Sequence, residues 1–282
     1  MASKFDLIKG TDDIFKNPEY ISDSVVFNSI ESARNEDEYK MYSDHRSVII
    51  STSETGNRVW IWTSSSIKNN TDKLIDICRF LRDLNIPKVE IYLKQDVSGN
   101  FSDLYALATL EINYIVKDEF SLGVYTYKGD KITDTNITVP DEDEKIILVD
   151  KTNKEHIALV TDFYKDCCEE FRWQEKFERK VQEYLNMEMY ALVKDGKMIA
   201  NAAIGSPTEK YLRIKSIAVL KNERRKGYGY KMCAFAVNKI LKKGTQPMLY
   251  THVGNSAAMA LWKKTGFKEH NRLCLLKIEE DN

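Results

Sequence analysis

Residues 222–231 read NERRKGYGYK, between the apolar run IKSIAVL and the apolar-periodic run KMCAFAVNKILKK. A strand leading through a basic, glycine-containing turn into a helix creates a place for an anion. The first backbone N–H groups of a helix starting near Gly227 have no intrahelical partner. With the positive end of the helix dipole they attract negative charge. Gly227 and Gly229 would let a phosphate reach the backbone without Cβ obstruction. Lys221, Arg224, Arg225 and Lys226 add positive charge. Together these residues favour a polyanion such as a pyrophosphate. They would serve equally as a solvated basic turn before a glycine-softened helix. Neither GxxxxGK[ST] nor GxGxxG is present, so a Walker loop is excluded and a dinucleotide fingerprint is disfavoured.

The elements that must position this turn follow from apolar periodicity. YLRIKSIAVL (211–220) reads as a strand, 227–243 as a helix, PMLYTHV (247–253) as a strand, 255–265 as a helix and RLCLLKI (272–278) as a closing strand. Upstream, IILVD (146–150) is a short strand, and 153–170 and 174–186 have helical spacing. The segment 189–205 is two apolar runs around Asp195-Gly196, the strongest short hairpin signal. Alternation of strands and helices after a hairpin predicts an α/β fold with a mixed sheet and crossover helices.

The N-terminal half shows a similar order. SVIIST (47–52) and RVWIWT (58–63) predict a hairpin, followed by a helix over 71–84, a strand in IPKVEIYLKQ (86–95), a helix at 102–113 and a strand in FSLGVYTY (120–127). The two halves read either as degenerate copies of one fold or as two unrelated α/β halves of low residue identity. Between them KGDKITDTNITVPDEDEK (128–145) is polar and acidic. The expected organisation is therefore an N-terminal domain at 1–132, a linker at 133–144 and a second domain at 145–282.

Composition narrows the function classes. The chain has 282 residues, enough for two domains. The formal net charge of −1 gives no global field toward nucleic acid or anionic membrane. No apolar run approaches the roughly 20 residues that span a bilayer. The opening MASKFDLIKGTDD lacks the apolar core of a signal peptide, so the expected location is cytoplasmic. Five cysteines and four histidines show no disulfide framework and no metal-ligand spacing.

The turn and a later segment together resemble a known superfamily. Arg224-x-x-Gly227-x-Gly229 follows SIAVL directly, and Asn255-Ser-Ala-Ala-Met-Ala-Leu-Trp-Lys-Lys-Thr-Gly-Phe267 comes some 25 residues later. This pairing resembles the GNAT acyl-CoA-dependent N-acyltransferases, specifically over 211–278 and more loosely back to about 146. The tandem layout is similar to the glycine N-acyltransferase-like branch. The resemblance implies a GNAT fold in the C-terminal half and a degenerate GNAT-like N-terminal half. The latter has no glycine where the phosphate loop would lie. Acetyl-CoA is the implied cofactor. Backbone groups at Ile217, Ala218 and Val219 would pair with the pantetheine amides. Arg224, Arg225, Lys226, Gly227, Tyr228, Gly229 and Tyr230 would hold the pyrophosphate, with Asn255 as a further contact.

The implied reaction moves an acetyl group to a primary amine by direct attack in a ternary complex. Proximity would supply much of the rate, and a backbone N–H would polarise the thioester carbonyl. Two departures from the family stand out. Trp262 occupies the position where many members have a Tyr that protonates the leaving sulfur. The strand before the turn carries Arg213 and Lys215 but no Glu base. Tyr250, Tyr228 and His252 are the remaining candidates for proton transfer. Glu169, Glu170, Arg172, Trp173 and Arg213 are candidates for acceptor binding. The acceptor, a small-molecule or peptide amine, stays open, as do acyl-chain length and oligomeric state. A non-catalytic acyl-CoA-binding regulatory protein is the alternative. Nucleic-acid and membrane partners are not expected.

Overall fold

The computed structural model describes residues 5–34, 39–53, 58–67, 70–84, 89–94, 114–132, 144–171 and 177–280. The chain divides into two compact units that do not follow it contiguously. The first comprises Met1–Val124, Tyr250–Asn255 and Glu269–Asn282, and the second Tyr125–Leu249 and Ser256–Lys268. The expected linker, 133–144, lies outside the described residues apart from Glu144.

In the first unit β1 (Asp6–Ile8) is followed by α1 (Pro18–Asp23) and α2 (Asn28–Ala33), and then by β2 (Tyr39–Ser43), β3 (Val48–Ser53) and β4 (Arg58–Thr63). Next come α3 (Thr71–Asp83), β5 (Val89–Lys94) and β6 (Tyr114–Thr126). β1 to β4 are antiparallel neighbours, and β5 joins parallel to β4. That parallel step needs a crossover, which α3 supplies. The long final strand β12 (Lys268–Glu280) pairs antiparallel with β5, from Leu273↔Lys94 to Ile278↔Val89. The predicted strands and the helix at 71–84 are present. The helix expected at 102–113 lies outside the described residues. One face of β3, β4, β5 and β12 buries Val48, Ile50, Val59, Ile61, Ile91 and Leu276 under α3 residues Leu74, Ile77 and Leu81.

The second unit repeats this order of helices and strands through its first eight elements. β7 (Glu144–Leu148) precedes α4 (Lys154–Phe171) and α5 (Phe177–Leu185), and then β8 (Glu188–Lys194), β9 (Lys197–Gly205) and β10 (Tyr211–Val219) follow. α6 (Tyr228–Lys242), β11 (Gln246–His252), of which Tyr250–His252 count with the first unit, and α7 (Ser256–Lys264) come next. β7 to β10 are antiparallel, and β11 lies parallel to β10 after the α6 crossover. Asp195 and Gly196 both adopt positive φ, 49° and 73°, as a two-residue hairpin turn requires.

The Thr265-Gly266-Phe267 segment is a helix stop. Phe267 N–H donates to the Trp262 carbonyl at 2.9 Å and Gly266 N–H to the Lys263 carbonyl at 3.2 Å, with Gly266 at φ 90°. This Schellman geometry brings the residue two past the cap against the third-last helical position. Here that contact is Phe267 against Trp262, with ring centroids 6.0 Å apart. Gly266→Ala should therefore cost roughly 1–2 kcal/mol, since the left-handed region penalises any L side chain. The added methyl would also sit 3.2 Å from the Tyr127 ring. Urea unfolding of the two proteins measures the difference.

Candidate functional site

The site begins where β10 leaves β11. Their pairing covers Tyr211↔Gln246, Leu212↔Pro247 and Arg213↔Met248 and goes no further. On its other side β10 stays paired with β9 through Val219↔Ala200. The β9–β10 register shifts between Ile214 and Ser216, which makes Lys215 the irregular residue. Backbone direction alternates along a strand. Leu220 N–H donates to the Ile199 carbonyl at 2.9 Å, so Leu220 faces β9 and so does Ala218. Ile217 and Val219 therefore turn their backbone groups away from β9. Among the described residues neither N–H has a partner there, and both residues are partly exposed. Ala218 corrects the sequence-based expectation. Its N–H is engaged by the Asn201 side chain, with Oδ1 accepting at 2.8 Å.

The turn after β10 is unusual in its backbone. A short 3-10 turn, Lys221–Glu223, is followed by Arg225 at φ 66° and Gly227 at φ 93°. Gly227 is the N-cap of α6 and makes no side-chain cap. A Cβ on Gly227 would meet nothing within 4 Å, while one on Gly229 would only touch Leu261 and Val219 at 3.7 and 3.8 Å. A ligand can therefore approach the backbone at Gly227 without meeting a Cβ or a neighbouring side chain there. The corresponding helix of the first unit, α3, differs. Its N-cap Asn70 accepts from the Lys73 N–H at 3.0 Å. A side chain fills in α3 the role that an anion can take in α6.

The basic residues of the turn divide. Arg224 folds back, its Nε donating to the Val219 carbonyl at 3.0 Å. Lys226 pairs with Glu223 at 3.0 Å. Arg225 and Lys221 are exposed. Tyr230 lies under the Lys264 ammonium, 4.9 Å from its ring centroid. Asn255 directly precedes α7 and is exposed.

Tyr228 is buried, and its hydroxyl donates to Glu144 Oε1 at 2.8 Å. Lys231 donates to Oε2 of the same carboxylate at 2.6 Å, and Lys194 to Oε1 at 3.3 Å. Burial pushes the Glu144 pKa up, but the bonds from Lys231, Tyr228 and Lys194 outweigh it and leave the carboxyl below its ordinary range. Burial and the Glu144 bond raise the Tyr228 pKa. Tyr228 thus fastens the first turn of α6 to β7, and its proton is committed to Glu144. Trp262 is buried, and its Nε1 has no partner among the described residues.

Of the other candidates from sequence, Tyr250 and His252 group with the first unit. The Tyr250 hydroxyl donates to the Val26 carbonyl at 2.7 Å. Its ring lies 5.8 Å from Trp60, which stacks on Tyr92 at 4.0 Å. His252 has its pKa lowered by burial first and by the Lys277 cation second, against the opposing pull of Glu90. Arg213 lies in the paired stretch of β10, half-buried. The Glu169 and Glu170 side chains and all of Arg172 and Trp173 lie outside the described residues.

Residues 157–267 match the family model described as Acetyltransferase (GNAT) family. The chain carries a GNAT acetyltransferase domain. No curated protein sequence matches it. Among solved structures, a Drosophila protein is similar over 100% of both chains, with 12% identity and a TM-score of 0.71. A GNAT acetyltransferase from Colwellia psychrerythraea is similar over 98% of this chain and 99% of its own, at 12% identity and a TM-score of 0.56. A tandem GNAT protein from the clavulanic acid biosynthesis pathway covers 98% of both chains, at 10% identity and a TM-score of 0.53. At these identities the likeness shows the fold, and it extends over nearly the whole chain. The repeat of elements in the two units accords with tandem GNAT-like halves.

Sequence reasoning missed Asn201, Tyr164 and Glu144. The signal for Asn201 was present. It is the one polar residue in the buried run Met198–Ile204 of β9. For His252, replacing Lys277 with Met should raise the imidazole pKa, because removing a nearby cation favours the protonated ring. Imidazole NMR titration of wild type and K277M reads this directly. An unchanged or lower value would exclude Lys277 as a cause.

Proposed function

We infer that this GNAT protein is an N-acetyltransferase that binds acetyl-CoA along the open side of β10 and at the N-terminus of α6. It transfers the acetyl group to a primary amine by direct attack. The observation that carries this function is a pair of adjoining backbone vacancies. Ile217 and Val219 turn N–H groups outward that have no partner among the described residues, and a few residues later α6 begins at an uncapped left-handed glycine. The first suits the amides of an extended pantetheine arm and the second a pyrophosphate. Both lie on the stretch that carries the family motif. An N–H at Ile217 or Val219 would polarise the thioester carbonyl, and such donors act most strongly when fixed in place beforehand. Binding both substrates together removes the entropic cost of their encounter.

A non-catalytic acyl-CoA-binding role has a specific observation behind it. Trp262 stands in place of the family's Tyr and is buried, and the Tyr228 and Tyr250 hydroxyls are engaged by Glu144 and the Val26 carbonyl. No tyrosine hydroxyl among these is free to protonate a leaving thiolate. A thiol with a pKa near 8.5 can still leave unaided at neutral pH, so this costs rate rather than reaction. His252 and Tyr228 stay proposals for proton transfer, weakened for Tyr228 by its bond to Glu144. The amine acceptor and the cytoplasmic setting are likewise proposals.

Two glycine variants separate the phosphate site from backbone strain. Gly229→Glu puts a carboxylate in the first turn of α6, where the helix dipole favours it, so folding should be unharmed. It should weaken acetyl-CoA binding at least tenfold, about 1.4 kcal/mol. Gly227→Ala should destabilise the fold by roughly 1–2 kcal/mol through its φ of 93°. Calorimetric titration with acetyl-CoA is the measurement, followed by an amine screen read by free thiol. Wild type that fails to bind at millimolar acetyl-CoA would sink the enzyme. Binding without thiol release for any amine would favour the regulatory role.

A further inference from the structure

Asn201 has no evident place in a β-strand core. Its neighbours Met198, Ile199, Ala200, Ala202, Ala203 and Ile204 are apolar and buried, and Asn201 is itself 0% exposed. Burying an amide costs free energy unless its polar atoms are bonded. Those of Asn201 are: Oδ1 accepts from the Ala218 N–H at 2.8 Å, and Nδ2 donates to the Tyr164 hydroxyl at 2.8 Å and reaches Ser216 Oγ at 3.5 Å. An alanine would fill such a strand position without this network.

The bonds converge on one short stretch. Ser216 and Ala218 flank Ile217, whose N–H faces the open side of β10. Ser216 also stands immediately after the irregular Lys215, where the strand register shifts. Bulges re-aim the residues beside them and need support to hold one conformation. Tyr164, on α4 and fully buried, anchors the amide from the helix layer, and its ring is itself stacked against Tyr184 at 5.0 Å.

We propose that Asn201 is a positioning residue for acyl transfer. By holding Ser216 and Ala218 against the Tyr164 anchor, it fixes the Ile217 N–H in the direction of the thioester carbonyl. This rests on the acetyl-CoA-binding function above. Asn201 touches no substrate and acts only through the β10 backbone.

The experiment uses the full chain and acetyl-CoA labelled with 13C at the thioester carbonyl, so no acceptor is needed. In wild type the bound carbonyl resonance should move downfield of free acetyl-CoA, as a polarised carbonyl does. In Asn201→Leu the downfield shift should be lost while affinity by calorimetry stays within about threefold. Asn201→Asp, which keeps the acceptor for the Ala218 N–H and lets the Tyr164 hydroxyl donate, should restore most of the shift. Tyr164→Phe, which removes only the anchor hydroxyl, should reduce it. If Asn201→Leu does not fold, the Tyr164→Phe and Asn201→Asp pair decides by the same pattern. Wild-type protein that binds without a downfield shift, or variants that keep it unchanged, would overturn the role of Asn201 and leave acetyl-CoA binding standing. Wild type that does not bind acetyl-CoA at all would overturn both.

Discussion

A backbone N–H removed from its partner must find another or meet solvent, and among the described residues the Ile217 and Val219 N–H groups of β10 are left in that condition. β10 keeps β9 along one side and gives up β11 after Arg213. α6 then starts from a glycine that caps nothing. Each feature alone is ordinary. The two features sit close together in the chain, at the end of β10 and the start of α6, on either side of the basic turn.

Keeping these features open demands rigidity around them. The first turn of α6 is tied to β7 through Tyr228 and Lys231, which meet on the Glu144 carboxylate with Lys194. The end of β10 is tied by Arg224, which closes on the Val219 carbonyl. The middle of β10 is tied by Asn201. These side chains carry charge or polarity, yet their partners are protein atoms. Arg224 and Lys226 read in sequence as phosphate ligands, and in the fold they first serve the turn itself. In this unit many of the polar side chains around the turn thus support backbone geometry.

The first unit shows what the same order of elements becomes without that need. Its helix α3 is capped by the Asn70 side chain, whereas α6 starts at a glycine with no side chain to cap it. The two units share architecture and differ in where their polar backbone is satisfied.

The strand, turn and helix around NERRKGYGYK were legible from residue order alone, because apolar periodicity and glycine placement act locally. So were the hairpin at Asp195-Gly196 and the order of elements in the second unit. The fates of individual side chains were not. Ala218 was expected to face the ligand with its neighbours, but alternation anchored by Leu220 turns it toward β9. Tyr228 and Tyr250 were candidates for proton transfer, and their hydroxyls are bonded to Glu144 and the Val26 carbonyl, 84 and 224 residues away in the chain. Asn201 meets Tyr164 across 37 residues. Sequence determined which segments become strand and helix and where the anion-attracting turn lies. Only the tertiary structure decided which donors stay open, because a hydrogen bond between distant residues depends on their separation in space and leaves no periodic trace along the chain.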